Sequence, residues 1–411
     1  MGKKNFQGMA PLFLAIFIDS IGISLFVPLA TPLFMGDHGI VSADTSSFLR
    51  NLFYGLSIGI YSLAGVIGAP LLGSLSDKIG RKKVLMMCLA STCAGYLLCG
   101  FAVYWHSVGL ILLGRVIDGF TGGSMTIAQA AIVDNAPQET KAVQIGYVLL
   151  AASLGFILGP LVASILSNPT LISWFNVATP LYFAAIMAAV NLGLLFCLFQ
   201  ETFKPHAEAH SQGSYWQSIA WFFENPTIRL LTVVFLCLQL GWATYFEFIG
   251  LFLHKTYQFD EHLIGYFMSG IGVGYTITFC YLLQKLVARY PLKKLAFMAI
   301  GFLAIFVWGN LLIRYSLEPW ITLIPATICL ASGYSVLITL FSNAVDADHQ
   351  GRIMGFSGAI TSFSFGCTAV ISGFIANLSA SAPLIWAALC LSVGAGFLLK
   401  YHKVSESTRS I

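Results

Sequence analysis

The chain has 411 residues, of which 57% are hydrophobic and only 9% are charged, and its mean hydropathy is +0.83. Soluble globular proteins contain about 45–50% apolar residues, so the composition excludes that class and predicts an integral membrane protein. No nucleic-acid-binding motif accompanies the formal net charge of +4. We therefore expect a lipid bilayer, and no nucleic acid, as a partner of this chain.

Twelve runs of the sequence are long and apolar enough to cross a bilayer. A helix rises about 1.5 Å per residue, so a hydrocarbon layer of about 30 Å requires roughly 20 apolar residues. The sequence therefore predicts an all-α membrane protein with twelve transmembrane helices, the first of which is a permanent span rather than a cleaved signal. The predicted spans cover residues 9–31, 52–74, 83–104, 107–131, 144–166, 175–199, 228–253, 262–284, 295–314, 320–344, 353–377 and 383–400.

Lysine and arginine are distributed unequally between the two sides of the predicted spans. Of the 21 such residues, 17 fall on the side that carries both termini, and only Arg50, Lys255 and Arg314 fall in the opposite loops. Positive charge accumulates on the cytoplasmic side of membrane proteins. We therefore expect both termini in the cytoplasm.

One long polar connection divides the predicted spans into two groups of six. It contains KPHAEAHSQG and is followed by YWQSIAWFF (215–223), which favours a short helix at the membrane interface, with a disordered linker as the alternative. A weak repeat between 133–159 and 345–366 supports two related halves, unless the similarity arose by chance. The predicted segments are an N-terminal half, a cytoplasmic linker and a C-terminal half, at residues 1–199, 200–226 and 227–411.

An acidic residue, Asp19, interrupts the first span, FIDSIGISLFVPL (17–29). It lies about ten residues into the span, hence ~15 Å deep by helical rise. A charged carboxylate is costly at that depth, so the side chain should either pair with a cation or take up a proton. Asp19 is therefore a candidate proton carrier, and a hydrogen-bonded structural residue is the alternative.

The loop after the second span, GSLSDKIGRKKV (73–84), concentrates charge in a chain that has little. Gly73 and Gly80 are expected to permit a tight turn. Asp77 is positioned to accept hydrogen bonds from Arg81 or from a helix N-terminus in the other half, which would make the loop a conformational latch. The alternative is that the basic residues only set the membrane topology.

A permanent cation, Arg115, is predicted within the fourth span, LGRVIDGFTGG (113–123). It requires a carboxylate or several carbonyl groups as partners. Asp118, three residues further along the same helix, is one candidate, and Asp19 of the first span is the other. Gly119 and Gly122 lie on the same helical face as Arg115. They leave a groove that could admit another helix, water or substrate.

The fifth span carries Gly155, Gly159 and Pro160 within GFILGP (155–160). The two glycines are four residues apart, which allows another helix to approach closely, and the proline removes a backbone hydrogen bond. A hinge or a seal between the halves is one interpretation of this pattern. Ordinary helix packing is the other.

The seventh span, LGWATYFEFIGLFL (240–253), follows Gln239 and places an acidic residue among aromatic ones. Gln239, Trp242, Phe246 and Glu247 are candidates for the lining of a substrate cavity that attracts a cation. Aromatic side chains facing lipid, with a carboxylate at the interface, account for the pattern equally well.

Together these motifs resemble the major facilitator superfamily, and over essentially the whole chain. The stretch at 73–84 is similar to the superfamily's loop between spans 2 and 3, and 113–123 is similar to its membrane-arginine motif. The segments 155–160 and 17–29 resemble the antiporter motif and the first span of the tetracycline and multidrug proton-antiporter branch.

The chain also departs from the family pattern. Lys78 stands where arginine is commoner, and Asp118 replaces the polar amide often found after the membrane arginine. Ala163 and Ser164 stand where the antiporter motif has glycines, and the loop at 284–294 has lost the Gly and Asp of its counterpart. These departures weaken the antiporter assignment and leave the superfamily assignment intact.

The resemblance implies a proton-coupled secondary transporter that works by alternating access in a bacterial inner membrane. Export of a small amphipathic organic compound or drug is the preferred function, and a proton symporter that imports a metabolite or siderophore is the alternative. A membrane receptor or sensor would be expected to carry a soluble signalling domain. We find no catalytic or metal-ligand cluster in the sequence, and we expect no enzyme activity, no cofactor beyond the proton gradient, and a monomer.

Overall fold

The computed structural model describes residues 3–36, 39–42, 44–122, 124–134, 141–201, 225–313, 315–345 and 350–407. Within these ranges the regular elements are all helical, in agreement with the predicted all-α fold. Fourteen α-helices are described: α1 (Lys3–Met35), α2 (Ser47–Ile79), α3 (Arg81–Tyr104), α4 (Val108–Thr121), α5 (Ser124–Asp134), α6 (Lys141–Leu166), α7 (Thr179–Leu198), α8 (Pro226–Tyr257), α9 (Glu261–Ile277), α10 (Leu283–Arg289), α11 (Leu292–Leu312), α12 (Glu318–Asn343), α13 (Gln350–Ile375) and α14 (Ala382–Ser407).

These helices account for the twelve predicted spans. Ten helical segments of the described chain are long and apolar enough to cross a membrane, and Leu150–Leu166 of α6 is a shorter apolar helix. The fourth predicted span is divided between α4 and α5, with Gly122 as the residue after α4. The eighth is continuous through α9, a π-helical turn at Thr278–Leu282 and α10.

Several helices extend beyond the apolar runs that predicted them. The second span was expected to end at residue 74, whereas α2 continues to Ile79 and includes Asp77. Gly73 therefore lies inside α2, with open space where a Cβ would lie, and the prediction that it forms part of the turn is wrong. Hydropathy marks the part of a helix that suits lipid, but backbone hydrogen bonding continues into the polar interface.

The chain forms two compact units, which are Met1–His206 with Leu253–Gly272, and Ala207–Phe252 with Val273–Ile411. The predicted interfacial helix at 215–223 lies outside the described residues, and the division into two halves at 200–226 stays a prediction. The helical hairpin formed by the end of α8 and the start of α9 belongs to the first unit.

Polar contacts hold this hairpin within the first unit. Lys255 Nζ donates to Asn51 Oδ1 of α2 at 3.1 Å. His262 Nδ1 lies 2.9 Å from the carbonyl oxygen of Ser164 in α6. Gly265 lies against the backbone of α6 at Pro160, where a Cβ would meet the proline carbonyl at 2.9 Å.

Close packing of α1 against α6 explains the glycines of the fifth span. A Cβ at Gly155 would meet the carbonyl oxygen of Phe17 at 2.7 Å, and one at Gly159 would meet that of Ile21 at 2.9 Å. Ser24 Oγ also donates to the Gly155 carbonyl across the two helices, at 3.1 Å. Both glycines therefore serve helix packing in this structure, and the hinge or seal involving Pro160 stays a prediction.

Candidate functional site

Arg115 is buried in the first unit, with 2% of its surface exposed. Its guanidinium carbon lies 4.2 Å from the ring centroid of Phe26 in α1 and 4.3 Å from that of Tyr61 in α2. Arg115 Nε donates to the carbonyl oxygen of Ser57, also in α2, at 3.1 Å. Aromatic faces and carbonyl groups attract cations, so these contacts fix the guanidinium plane and partly replace its lost hydration.

Asp118 is the carboxylate that pairs with Arg115. Arg115 Nη1 lies 3.5 Å from Asp118 Oδ2, and both side chains are buried. A charge-assisted hydrogen bond would be about 2.7–2.9 Å long, so this pair is electrostatic and loose.

Asp19 is buried on the same side of the unit but has a different partner. The hydroxyl of Ser124, the first residue of α5, donates to Asp19 Oδ2. The carboxyl group therefore lies at the start of α5, where the helix dipole favours negative charge. Of the two carboxylates proposed to pair with Arg115, the structure selects Asp118.

The small-residue groove beside Arg115 is filled by Tyr61 of α2. A Cβ at Gly119 would collide with the Tyr61 backbone, and one at Gly122 would meet the Tyr61 hydroxyl oxygen at 2.9 Å. Tyr61 is thus within electrostatic reach of Asp19, Arg115 and Asp118 together. Of the three occupants considered for the groove, the structure shows a neighbouring helix.

The charged cluster, defined here as Asp19, Arg115 and Asp118, can hold protons as well as charge. Arg115 keeps its proton at any physiological pH, whereas either carboxyl can be neutral or ionised. Ionised carboxylates within membrane-spanning helices are costly and typically mark ion or proton pathways. Within the described residues no group of three His, Cys, Asp or Glu side chains is arranged to hold a metal ion.

The loop between α2 and α3 is a single residue, Gly80, with φ +103°. This left-handed conformation favours glycine because any Cβ would be strained. Arg81 Nη1 lies 2.8 Å from Asp77 Oδ1 and donates to Ser76 Oγ at 2.7 Å. Asp77 is 58% exposed, so this ion pair is screened by solvent, and its role as a latch stays a prediction.

Glu201, at the start of the predicted linker, is a functional candidate that the sequence did not indicate. Its two carboxylate oxygens accept hydrogen bonds from the backbone N–H groups of Arg81 and Lys82, each at 3.0 Å. Lys82 Nζ in turn donates to the carbonyl of Phe196 near the end of α7, at 2.9 Å. Glu201 places negative charge at the N-terminus of α3, and Lys82 places positive charge near the C-terminus of α7. These contacts join the loop to the sixth span.

The candidates on the seventh span lie in the second unit and are buried. Glu247 is fully buried and accepts a hydrogen bond from Thr368 of α13 at 3.0 Å. Gln239 Nε2 donates to Thr361, also on α13, at 2.7 Å. Glu247 therefore packs against a neighbouring helix and does not face lipid, while its depth in the membrane stays a prediction.

Aromatic rings surround this part of α8. Trp242 lies 5.9 Å from Phe246 between ring centroids, and Phe246 lies 6.2 Å from Phe365 of α13 in an edge-to-face arrangement. Trp242 and Phe246 are 6% and 2% exposed, so neither ring faces lipid. The structure brings Gln239, Glu247 and these rings to one helix pair, although they remain a proposed substrate site.

Comparison with known proteins places this geometry in a family. The family model described as the Major Facilitator Superfamily matches residues 12–366 of the chain. The tetracycline resistance protein, class H, of Pasteurella multocida is 27% identical over 402 residues, covering 93% of this chain and 92% of the relative. The quinolone resistance protein NorA of Staphylococcus aureus is 23% identical over 388 residues, covering 92% of each.

Solved structures show the same fold. A bacterial homologue of the human lysosomal transporter Spinster, in an inward-facing and occupied conformation, superposes with a TM-score of 0.74 at 14% identity, over 96% of both chains. The human organic anion transporter MFSD10 superposes with a TM-score of 0.69 at 20% identity, over 97% of this chain and all of the other. The resemblance drawn from the motifs is thus confirmed, and the chain belongs to the Major Facilitator Superfamily of multi-pass membrane transporters.

Proposed function

We propose that this protein is a proton-coupled antiporter that exports small amphipathic organic compounds. The observation that carries the proposal is the charged cluster, which buries two carboxyl groups and one permanent cation in membrane-spanning helices of the first unit. Burial of charged groups in a membrane costs free energy, so such an arrangement is expected where protons bind and leave. The names of the tetracycline and quinolone resistance relatives support the export of organic compounds.

Asp19 is the proposed proton carrier. Its hydrogen bond comes from Ser124 at the start of α5, whereas the guanidinium of Arg115 is paired with Asp118. A shift of α1 relative to α4 would bring Asp19 nearer to Arg115, where the positive charge favours the ionised form and expels the proton. The opposite shift would return Asp19 to a setting in which a proton can bind.

Arg115 is the proposed fixed charge of this exchange. It is held from α1 and α2 through Phe26, Tyr61 and Ser57, while its bond to Asp118 is loose at 3.5 Å. A guanidinium that is anchored by its faces can change carboxylate partner without leaving its position. The geometry therefore suits a switch between Asp118 and Asp19.

Glu247 and its aromatic neighbours are the proposed substrate site. A buried carboxylate beside Trp242 and Phe246 provides both charge and π-faces for an organic cation. The apolar rings also suit the hydrophobic part of an amphipathic molecule. The proposed substrates are therefore amphipathic compounds, with cations preferred.

A transport assay in sealed membrane vesicles tests this function. Inverted and right-side-out vesicles would be incubated in a medium that contains a mixed pool of drugs and metabolites, with and without an imposed pH gradient. We expect uptake into inverted vesicles that are acidic inside, and its loss in Asp19→Asn with gradient-independent exchange retained. Asp44→Asn, an exposed loop carboxylate, is the matched control and should transport normally.

Two results would contradict the proposal. Gradient-driven transport that survives in Asp19→Asn would assign the proton to another group, with Asp118 as the next residue to test. Accumulation in right-side-out vesicles, with substrate and protons moving together, would establish the alternative of a proton symporter that imports a metabolite or siderophore.

The remaining parts of the proposal concern the setting of the protein. We place it in a bacterial inner membrane as a monomer. We place both termini in the cytoplasm because the basic residues are distributed unequally between the two sides. Labelling of single cysteines introduced beside Lys83 and Arg50 with an impermeant reagent tests the orientation. Light scattering of the purified protein in detergent tests the monomer.

A further inference from the structure

Glu318, the first residue of α12 in the second unit, has a buried side chain. Only 6% of the residue is exposed, and neither carboxylate oxygen has a hydrogen-bond partner in the part of the chain that the structure describes. The carboxyl group reaches towards α11, because a Cβ at Gly309 would meet Glu318 Oε1 at 3.1 Å. The salt bridges among the described residues are Arg81–Asp77 and Arg115–Asp118, so Glu318 forms none of them.

The start of α12 does not supply the missing donors. A helix begins with free backbone N–H groups, which are able to bind a carboxylate. Pro319 follows Glu318 directly and has no N–H group, which removes one of these donors. The Glu318 N–H itself donates to the carbonyl oxygen of Tyr315, at 3.0 Å. The carboxyl group is thus buried at a helix start without the hydrogen bonds that such a place usually provides.

Asn310 of α11, the residue after Gly309, presents a second acceptor without a donor. Its Nδ2 donates to the Phe306 carbonyl at 2.9 Å and to Thr322 Oγ1 at 3.1 Å, which fixes the orientation of the amide. Asn310 is 1% exposed, and its Oδ1 has no hydrogen-bond partner among the described residues. The Thr322 hydroxyl donates to the Glu318 backbone carbonyl at 3.1 Å, so the backbone already engages its hydrogen.

We propose that Glu318 binds a proton and forms, beside Asn310, a second proton site that is separate from the charged cluster. An ionised carboxylate only accepts hydrogen bonds, whereas a protonated one has an O–H group that donates. One proton therefore corrects the excess of buried acceptors between α11 and α12. A divalent cation such as Ca²⁺ suits the place less well, because it takes about six or more oxygen ligands. The inference goes beyond the proposed function, which assigns the proton to Asp19.

The proposed proton site adjoins the proposed substrate site through α8. Tyr245 of α8 is within electrostatic reach of Glu318. Its hydroxyl group is buried and has no hydrogen-bond partner in the described ranges. The Tyr245 ring stacks on that of Trp242, with 5.7 Å between the centroids.

Charged side chains on the helices packed against α12 are placed far from Glu318 along the chain. The basic residues of α11 lie in its first turn, whereas Glu318 meets that helix near its end, at Gly309. The basic residue of α13 lies in its first turn, which follows the opposite end of α12. These residues are Lys293, Lys294 and Arg352. Arg314, four residues before Glu318, lies outside the described residues and is included in the experiment.

Infrared spectroscopy of the purified protein tests the proposal. A protonated carboxyl group has a C=O stretching band at higher frequency than a carboxylate or a side-chain amide. We expect this band at neutral pH to be weaker in Glu318→Gln than in wild type, by the contribution of one carboxyl group. Glu318→Met removes the same group and keeps the test available if the amide variant fails to fold.

Thermal unfolding across pH gives a second measurement. A proton held by the folded protein stabilises it at low pH, and this contribution is lost as the pH rises and the proton leaves. The melting temperature of wild type should therefore fall towards alkaline pH more steeply than that of Glu318→Gln, whose amide resembles a protonated carboxyl. At neutral pH, Glu318→Gln should be at least as stable as wild type.

Asp260→Asn is the matched control. Asp260 is an exposed carboxylate before α9 and accepts a hydrogen bond from the Leu263 N–H at 2.8 Å, so its ionised form has the partners that Glu318 lacks. This variant should leave the infrared band unchanged. Arg314→Gln should also leave it unchanged if Glu318 is already protonated in wild type.

Three results would overturn the proposal. Equal bands in wild type, folded Glu318→Gln and folded Glu318→Met would show that Glu318 carries no proton. A band that grows in Arg314→Gln would show that Glu318 is ionised in wild type and paired with Arg314. Parallel pH dependences of melting in wild type and Glu318→Gln would show that Glu318 releases no proton over the range. None of these measurements requires transport, so wild type without gradient-driven flux would overturn the proposed function alone.

Discussion

Replacement of Arg115 by lysine isolates the contribution of the planar guanidinium to transport. The positive charge remains, so Asp118 keeps a counter-ion in a buried place. The lysine ammonium, however, has no equivalent of the Nε group that donates to Ser57 at 3.1 Å. It also cannot lie flat between Phe26 and Tyr61, whose ring centroids are 4.2 and 4.3 Å from the guanidinium carbon.

These lost contacts set the expected size of the effect. A hydrogen bond that involves a charged group contributes about 1.5–3 kcal/mol. A barrier higher by about 1.4 kcal/mol slows a process tenfold. If the bond to Ser57 is required in the rate-limiting step, Arg115→Lys should transport roughly 10- to 100-fold more slowly than wild type, with its expression unchanged.

Arg115→Ala should be inactive for a different reason. It leaves Asp118 as a buried carboxylate without its cation, which typically costs about 3–5 kcal/mol. The double variant Arg115→Ala with Asp118→Asn removes both charges, so it should recover folded yield without recovering transport. That pair of results would separate a requirement for the charge from a requirement for stability.

Gradient-driven flux in inverted vesicles, normalised to folded protein, measures all three variants. Arg229→Lys, an exposed arginine at the start of α8, is the matched control and should be unaffected. Wild-type flux in Arg115→Lys would refute the argument from guanidinium geometry. Measurable proton-driven flux in either alanine variant would remove Arg115 from the mechanism.

Other predictions concern the loop and the second unit. Asp77→Asn should leave the protein inserted in the membrane and increase cysteine labelling from the cytoplasmic face. Unchanged labelling and transport would show that the loop only sets the membrane topology. Glu247→Gln should weaken the binding of cationic substrates and spare neutral ones, and equal effects on both would place Glu247 outside the substrate site. Gly80→Ala forces a Cβ into φ +103° and towards Glu201, so it should lower the melting temperature of the purified protein by a few degrees, for a cost of about 1–3 kcal/mol. Glu201→Gln removes the charge at the start of α3 and should cost about 1 kcal/mol, and melting unchanged from wild type would contradict that role.

The twelve spans could be predicted from the sequence because burial in lipid imposes one simple requirement on every span. A run of about 20 apolar residues satisfies it whatever the neighbouring helices are. The ends of α2 could not be predicted in this way, because Asp77 and Lys78 are polar but still continue the backbone hydrogen bonding of the helix. For the same reason, the sequence wrongly predicted that Gly73 lies in the turn rather than inside α2.

Contacts within one helix were also accessible to sequence reasoning. Arg115 and Asp118 are three residues apart, and side chains at that spacing are neighbours on any helix. The partner of Asp19 was not accessible, because Ser124 is 105 residues away and reaches Asp19 only through the packing of α1 with α5. A small signal existed in the glycine pair before Ser124, which indicates an interrupted helix and hence a free N-terminus.

Glu201 was missed for the same physical reason. It lies 120 residues from Arg81, and nothing in the local sequence shows that the end of the sixth span meets the start of the third. For the basic residues of this loop, the alternative to a latch was that they only set the membrane topology. The structure adds that Lys82 and the N-terminus of α3 also bind groups at the end of α7.

The distribution of charge between the two units limits how coupling can work. The charged cluster with its proposed proton carrier belongs to the first unit, whereas Glu247 and its aromatic neighbours belong to the second. A proton on Asp19 and a cation beside Glu247 would therefore bind different groups, and exchange requires that the two binding events be coupled. Because such coupling is reciprocal, a change of pH that alters substrate affinity requires that bound substrate alter proton affinity by the same factor. An exchange mechanism follows if the conformation that releases the proton is also the one that binds the substrate.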